Sequence, residues 1–291
     1  MTVTHSNRTT VLVTADALAA ELSSATPPVL LDVRWALGVT DNHAPYLAGH
    51  IPGARFVNLD AELAAAPSPA LGRHPLPDVA DLQKSARAWG IEDDSQVVIY
   101  DDSSGLSAAR AWWLLRWGGL TAVRVLDGGL SAWKARGGEV RTGEPAPNSP
   151  GAVRLDGGHL PVVDADGAAA LASTGVLLDA RAAERYRGEV EPVDPRAGHI
   201  PGAISAPTSE NLTDGYFLDE VALAERFARL GVSGDKTVAV YCGSGVTAAH
   251  LALALAAIGV SATLFPGSWS QWSNDPARPV AVGSDNGEEM R

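Results

Sequence analysis

Along this chain, short apolar runs alternate with stretches whose apolar positions recur at helical spacing. In the second half, residues 237–241 (Thr-Val-Ala-Val-Tyr) form an apolar run of strand length. Residues 247–258 follow as an Ala/Leu-rich helical stretch closed by Gly259, and residues 261–265 read as the next strand. Strand, helix and strand in that order predict a βαβ unit, so the sheet should be parallel and covered on both faces.

The pattern occurs twice. Val29-Leu30-Leu31-Asp32-Val33-Arg34 returns as Val176-Leu177-Leu178-Asp179-Ala180-Arg181, and Ala48-Gly49-His50-Ile51-Pro52-Gly53-Ala54 returns as Ala197-Gly198-His199-Ile200-Pro201-Gly202-Ala203. The offsets are 147 and 149. Gly105-Leu106-Ser107-Ala108-Ala109 answers Gly245-Val246-Thr247-Ala248-Ala249, and Gly128-Gly129-Leu130-Ser131-Ala132-Trp133 answers Gly267-Ser268-Trp269-Ser270-Gln271-Trp272, with offsets of 140 and 139. Order is kept, so two copies of one domain are expected. In each, Pro-Gly sits at the centre of a turn, where Pro presets φ and Gly accepts a positive φ. Residues 137–158, rich in Gly, Pro and Glu and without apolar periodicity, read as a linker. The expectation is an α/β protein of two tandem domains, residues 1–145 and 146–291, each a parallel sheet with helices on both faces.

A chain of 291 residues is near the size at which one core gives way to two. Apolar residues make up 46% and charged residues 19%, which is the composition of a folded protein. Twenty-two basic and thirty-four acidic side chains give a net charge of −12, which argues against a nucleic-acid partner. No uninterrupted apolar window is long enough to span a membrane, and residues 1–10 lack the apolar core of a secretory signal, so a cytoplasmic protein is expected. One cysteine excludes a disulfide framework and a thiol-rich metal site. The histidines (His5, His43, His50, His74, His159, His199, His250) show no ligand spacing, so neither a metal nor another cofactor is expected.

That single cysteine, Cys242, directly follows the predicted strand, and Cys242-Gly243-Ser244-Gly245-Val246-Thr247 leads into the helix. Ligand crevices of open α/β sheets lie beyond the carboxyl ends of strands, where a helix N-terminus presents unpaired N–H groups. Two glycines let the backbone curl into a nest of donors that favours negative charge on the sulfur. A lone cysteine is more often a small buried hydrophobe, but that role gains nothing from a glycine-rich turn. The first copy places acids, Asp101 or Asp102, where the second places the thiol. An acid cannot be a sulfur nucleophile, so the first copy is expected to be catalytically inactive.

The repeated domain, the two Gly-His-Ile-Pro-Gly-Ala turns and the Cys242 loop resemble the rhodanese superfamily, specifically its tandem-domain sulfurtransferases, over residues 12–280. Trp112-Trp113 and the Gly267–Trp272 run resemble family motifs too, although core packing accounts for those tryptophans. Thiosulfate-using rhodaneses usually carry basic residues just after the cysteine, whereas Cys-Gly-Ser-Gly-Val-Thr is similar to the 3-mercaptopyruvate sulfurtransferase pattern. The resemblance implies that Gly243, Gly245, Val246 and Thr247 line the substrate and that Arg185 binds the donor carboxylate, for which a planar guanidinium is suited. It implies a second arginine after a Glu-Pro segment; here the nearest is Arg196, closer to the turn than the family pattern has it. It also implies a group of Ser244, Asp60 and His74 that polarises the substrate carbonyl or relays a proton. Without the resemblance, Asp60 reads equally as a helix N-cap and His74 as a loop histidine.

The implied chemistry is a ping-pong cycle. The Cys242 thiolate takes sulfur from a small-molecule donor, pyruvate leaves, and an acceptor thiol such as thioredoxin, or cyanide, removes the outer sulfur of the persulfide. The alternatives are a thiosulfate donor, a non-catalytic binding module, and a phosphatase of similar architecture. The last needs an arginine closing the loop, where this chain has Ala248.

Overall fold

The apolar runs fold into two parallel sheets in a computed structural model that describes residues 7–284. Residues 1–6 of the polar N-terminal stretch, with His5, and residues 285–291 lie outside the described residues. Contacts divide the chain into two units: one holds the chain up to Ala65 together with Pro77–His159, the other Ala66–Leu76 together with the chain from Leu160 onward.

In the first unit, β1 (Leu12–Val13), β2 (Val29–Arg34), β3 (Arg55–Asn58), β4 (Val97–Tyr100) and β5 (Val123–Leu126) form one sheet in the order β1-β5-β4-β2-β3. Every pairing is parallel. Val98 and Tyr100 of β4 join Leu18, Leu130 and Trp133 in one cluster, under the helices Ala15–Leu22 and Gly129–Ala135. Val97 and Ile99 alternate to the opposite face, and the buried helix Ala108–Trp117 packs along β4 and β5. Both faces are covered, which is why β4 is apolar throughout.

The second unit repeats the plan. Its strands are β6 (Val176–Asp179), β7 (Ile204–Ser205), the short antiparallel pair β8 (Leu212–Thr213) and β9 (Tyr216–Phe217), β10 (Val238–Tyr241) and β11 (Ala262–Leu264). The parallel sheet runs β11-β10-β6-β7, and Val162 bridges Leu264 in parallel at the edge that β1 occupies in the first unit. The expected strand–helix–strand run is present as β10, the helix Val246–Ala257 and β11.

The same side chains anchor both Pro-Gly turns. Tyr100 Oη accepts from Ile51 N at 2.9 Å, and Tyr241 Oη accepts from Ile200 N at 3.2 Å. His50 stacks on Tyr46 and His199 on Tyr186, while the two phenols donate to Ala54 O and Ala203 O. Arg34 binds Asp32 and the Gly49 carbonyl, as Arg181 binds Asp179 and the Gly198 carbonyl. Burial works against the charge on Arg181, and adjacent Asp179 more than offsets this, so the guanidinium is held above its ordinary range. The Asp-x-Arg and Gly-His-Ile-Pro-Gly-Ala motifs therefore recur because they form one buried clasp between a strand and its turn.

The unit division differs from a break at residue 145. Residues 151–159 are strapped along the first unit: Gly151 N donates to Arg87 O, Val153 N to Ile91 O and His159 N to Trp117 O, with Val153 wholly buried. An extended strap satisfies its backbone without apolar periodicity, which is why its composition reads as linker. The segment Ala66–Leu76 instead packs within the second unit, where it matters for the site.

Candidate active site

The Cys242 thiol is buried at the carboxyl end of β10, between Tyr241, whose hydroxyl is fixed to the turn, and a loop that enters the helix Val246–Ala257. Gly245 caps that helix with φ +85°, and a Cβ there would stand 2.6 Å from Pro266 O, so only glycine fits. Its N–H donates to Cys242 Sγ at 3.1 Å. The first N–H groups of the helix, Val246 and Thr247 among them, have no acceptor within it. The loop is stitched to the next turn by Cys242 N to Ser268 Oγ (3.1 Å), Trp269 N to Cys242 O (2.9 Å) and Ser270 N to Gly243 O (2.9 Å). Ser268 stands at φ +53°, and its hydroxyl pins that conformation by donating to Phe265 O.

The corresponding loop of the first unit shows what such a turn holds. Leu130 N donates to Asp101 O at 2.8 Å, as Trp269 N does to Cys242 O, so Asp101 rather than Asp102 is the counterpart of the cysteine. The Asp101 carboxylate takes four N–H groups, from Ser103, Gly105, Ser107 and Ala108, at 2.8–2.9 Å. The curled loop is thus an anion cradle, filled in the first unit by its own side chain. Asp102 points instead to Arg34, at 2.7 Å.

Two guanidiniums approach the cysteine loop. Arg185, from the short helix Ala183–Tyr186, gives Nη2 to Glu191 Oε1 (2.6 Å) and Asp194 Oδ2 (3.3 Å), and Nε to Glu191 Oε2 (3.3 Å). Arg73 gives Nη1 to Asp194 Oδ1. A Cβ built on Gly243 would lie 2.9 Å from Arg73 Nη2 and 3.4 Å from Arg185 Nη1. Burial raises Glu191, but the Arg185 bond and the N–H groups of Asp194 and Val193 outweigh it, holding the carboxyl below the usual range. Burial pushes Asp194 up, with Arg73 opposing.

The segment Ala66–Leu76 brings Arg73 and His74 here. Arg73 N donates to Ser270 Oγ at 3.0 Å, and Gln271 Nε2 donates to Ala70 O at 2.7 Å. A Cβ on Gly72 would meet Gly267 O at 2.6 Å, so the approach requires glycine. His74 Nδ1 lies 2.7 Å from Ser244 Oγ, and both side chains are buried.

Two further expected residues make contacts of their own. Arg196 is occupied: its three nitrogens donate to the carbonyls of Ser273, Arg278, Trp272 and Asp275 at 2.6–2.9 Å, closing the end of the helix Ser268–Asn274. These bonds give it a capping role at that helix end. Asp60 belongs to the first unit, inside the helix Leu59–Glu62, where Asn58 is the N-cap, and it accepts from Trp35 Nε1 at 3.0 Å. Arg73, Glu191 and Asp194 were not singled out from sequence. Adjacency to His74 was the one available signal for Arg73. Among the described residues no group of His, Cys, Asp and Glu is arranged to hold a metal, and no helix is long and apolar enough to cross a membrane.

A family model for the rhodanese-like domain matches residues 14–136 and again 164–275. The chain belongs to the rhodanese family. Among its rhodanese relatives, a Pseudomonas aeruginosa protein named for 3-mercaptopyruvate sulfurtransfer is 49% identical over 282 residues, covering 94% of this chain and 98% of that protein. The Mycobacterium tuberculosis protein SseB, named for thiosulfate sulfurtransfer, is 48% identical over 279 residues, with the same coverage of both. The crystal structure of SseA from Escherichia coli, described with the rhodanese fold, superposes with a TM-score of 0.78 at 34% identity, covering 89% of this chain and 99% of that one.

Proposed function

We propose that this chain moves a sulfane sulfur from 3-mercaptopyruvate to a thiophilic acceptor through a persulfide on Cys242. By kinship it is a sulfurtransferase, which implies a small-molecule sulfur donor and an acceptor. The observation that carries the reading is the Gly245 N–H aimed at Cys242 Sγ, in a loop whose counterpart wraps the Asp101 carboxylate in four donors. A cradle built for an anion, holding a sulfur in place of an acid, suits a persulfide.

In the first half-reaction the Cys242 thiolate attacks the donor sulfur. The carbon–sulfur bond breaks, its electron pair passes to the pyruvate enolate, and the enolate takes a proton to leave as pyruvate. Ser244 is suited to donate to the substrate carbonyl while His74, 2.7 Å away, exchanges its proton. The resemblance adds Asp60 to this pair as the acid. Arg185, whose Nη1 makes no hydrogen bond among the described residues, holds the carboxylate end. In the second half-reaction an acceptor thiolate, for which thioredoxin has the right chemistry, or cyanide attacks the outer sulfur and restores the Cys242 thiolate. A single free cysteine and a thiol acceptor suit the reducing cytoplasm.

Mass spectrometry of the intact protein after addition of 3-mercaptopyruvate tests this directly. The expected result is a gain of one sulfur that reductant removes, and its loss in Cys242→Ser, whose hydroxyl cannot form a persulfide. Pyruvate release that persists in Cys242→Ser would refute the mechanism, since no other thiol is present.

A further inference from the structure

We infer that Arg73 is a second anion-binding residue of the donor site, and that it sets the preference for donors whose negative charge lies close to the transferred sulfur. The inference rests on Cys242 being the sulfur acceptor and deepens that reading.

Three observations carry it. First, of the two guanidiniums over the loop, Arg73 comes nearer: its Nη2 would be 2.9 Å from a Cβ on Gly243, the residue next to Cys242, against 3.4 Å for Arg185 Nη1. Second, Arg73 is underused. It binds Asp194 through Nη1 alone, its Nε is buried without a hydrogen-bond partner among the described residues, and Nη2 makes none there either. A buried guanidinium donor left unpaired is costly, and an anion in front of it would relieve that cost. Arg185, by contrast, already spends two nitrogens on Glu191 and Asp194. Third, the residue is held in place. Its backbone N–H is fixed to Ser270, Asp194 bridges it to Arg185, and Gly72 beside it is backed against Gly267.

Two donors differ in where their charge stands. In thiosulfate the charged oxygens sit on the atom bonded to the transferred sulfur. In mercaptopyruvate a methylene and a carbonyl carbon separate that sulfur from the carboxylate. A cation over Gly243 therefore meets a sulfonate more directly than a carboxylate, while Arg185 serves the more distant charge. The cysteine loop itself contains no basic residue, so this cation has to come from another part of the chain.

The test measures the rate of Cys242 sulfur loading by quenched-flow mass spectrometry, with thiosulfate and with 3-mercaptopyruvate, in the full-length chain and in Arg73→Ala and Arg73→Lys. Loss of one charge-assisted hydrogen bond predicts a drop of about 10- to 150-fold in loading efficiency with thiosulfate for Arg73→Ala. The drop with mercaptopyruvate should be clearly smaller, and Arg73→Lys should recover part of the thiosulfate rate because the charge is kept. Equal losses with both donors, or no loss with either, would overturn the assignment, the first by making Arg73 a support of the loop and the second by making it idle. Wild-type protein that gains no sulfur from either donor would instead remove the reading of Cys242 on which the inference stands.

Discussion

His74 Nδ1 stands 2.7 Å from Oγ of Ser244, the residue two beyond the cysteine, with both side chains buried. A buried hydroxyl facing an imidazole nitrogen beside the proposed nucleophile is placed to move a proton. Ser244→Ala and His74→Gln are each expected to slow pyruvate formation from mercaptopyruvate by about 10²-fold, the lower end of what general acid–base groups contribute. The double variant should be little worse than either single one, because the two act as a unit. Single-turnover pyruvate assays check this, and additive losses would separate the two roles.

Arg185 and Arg196 should part company under mutation. Arg185→Ala is expected to lose about 10- to 150-fold in efficiency with mercaptopyruvate. Sulfur release from a preformed persulfide to a neutral thiol should be spared, since that step no longer involves the carboxylate. Arg196→Ala removes a guanidinium that closes four carbonyls and should lower the melting temperature while leaving the ratio of the two donors unchanged. Steady-state kinetics and thermal melts on the same samples distinguish them.

Gly243 has room for no side chain unless Arg73 gives way. Gly243→Arg would crowd out the guanidiniums already there rather than add to them. Gly243→Ala should leave the melting temperature nearly unchanged, because the Cβ meets only the tip of the flexible Arg73 side chain, yet it should slow sulfur loading by pushing that guanidinium aside. Alkylation of Cys242 by a small neutral reagent should change far less, because it needs neither arginine. A faster thiosulfate reaction in Gly243→Arg would contradict this.

Glu191 links the site to stability. Its carboxylate takes Arg185, Arg181 and the N–H groups of Val193 and Asp194. Its folded pKa lies below the ordinary 4.5, so it contributes stability above that value, and the contribution is lost as pH falls through the lowered pKa. Glu191→Gln should cost ~1–3 kcal/mol near neutral pH. The gap to wild type should close as the medium is acidified below 4.5. Urea titrations across that range measure it.

Much of this was legible in the residues before any coordinates. The paired Asp-x-Arg and Gly-His-Ile-Pro-Gly-Ala motifs announce two copies, because each supplies the strand and turn side of one clasp, which a tyrosine of the neighbouring strand completes. The βαβ run around Cys242 is equally local, and β10, its helix and β11 fall within one or two residues of expectation. The proposed nucleophile, Cys242, follows from uniqueness and from the glycines beside it. Which acid replaces the cysteine in the first copy does not follow from the loop alone, which is one residue longer; Asp101 is identified by the shared bond to the following turn and by its place after Tyr100, the counterpart of Tyr241.

Local pattern in the residues thus carries the repeat, the strand–loop–helix units and the place of the thiol in its loop, while Arg185 enters only through the family resemblance. Which charged groups approach the cysteine loop depends on contacts between segments distant in the chain. Arg73 lies 121 residues from Asp194, its ion-pair partner, and His74 lies 170 from Ser244, so no spacing rule could join either pair, and the family resemblance alone pointed to the second. The strap at residues 151–159 and the crossing of Ala66–Leu76 into the second unit were hidden for the same reason. Extended segments bind through backbone groups that every residue carries, and such bonds leave no pattern of side chains to read.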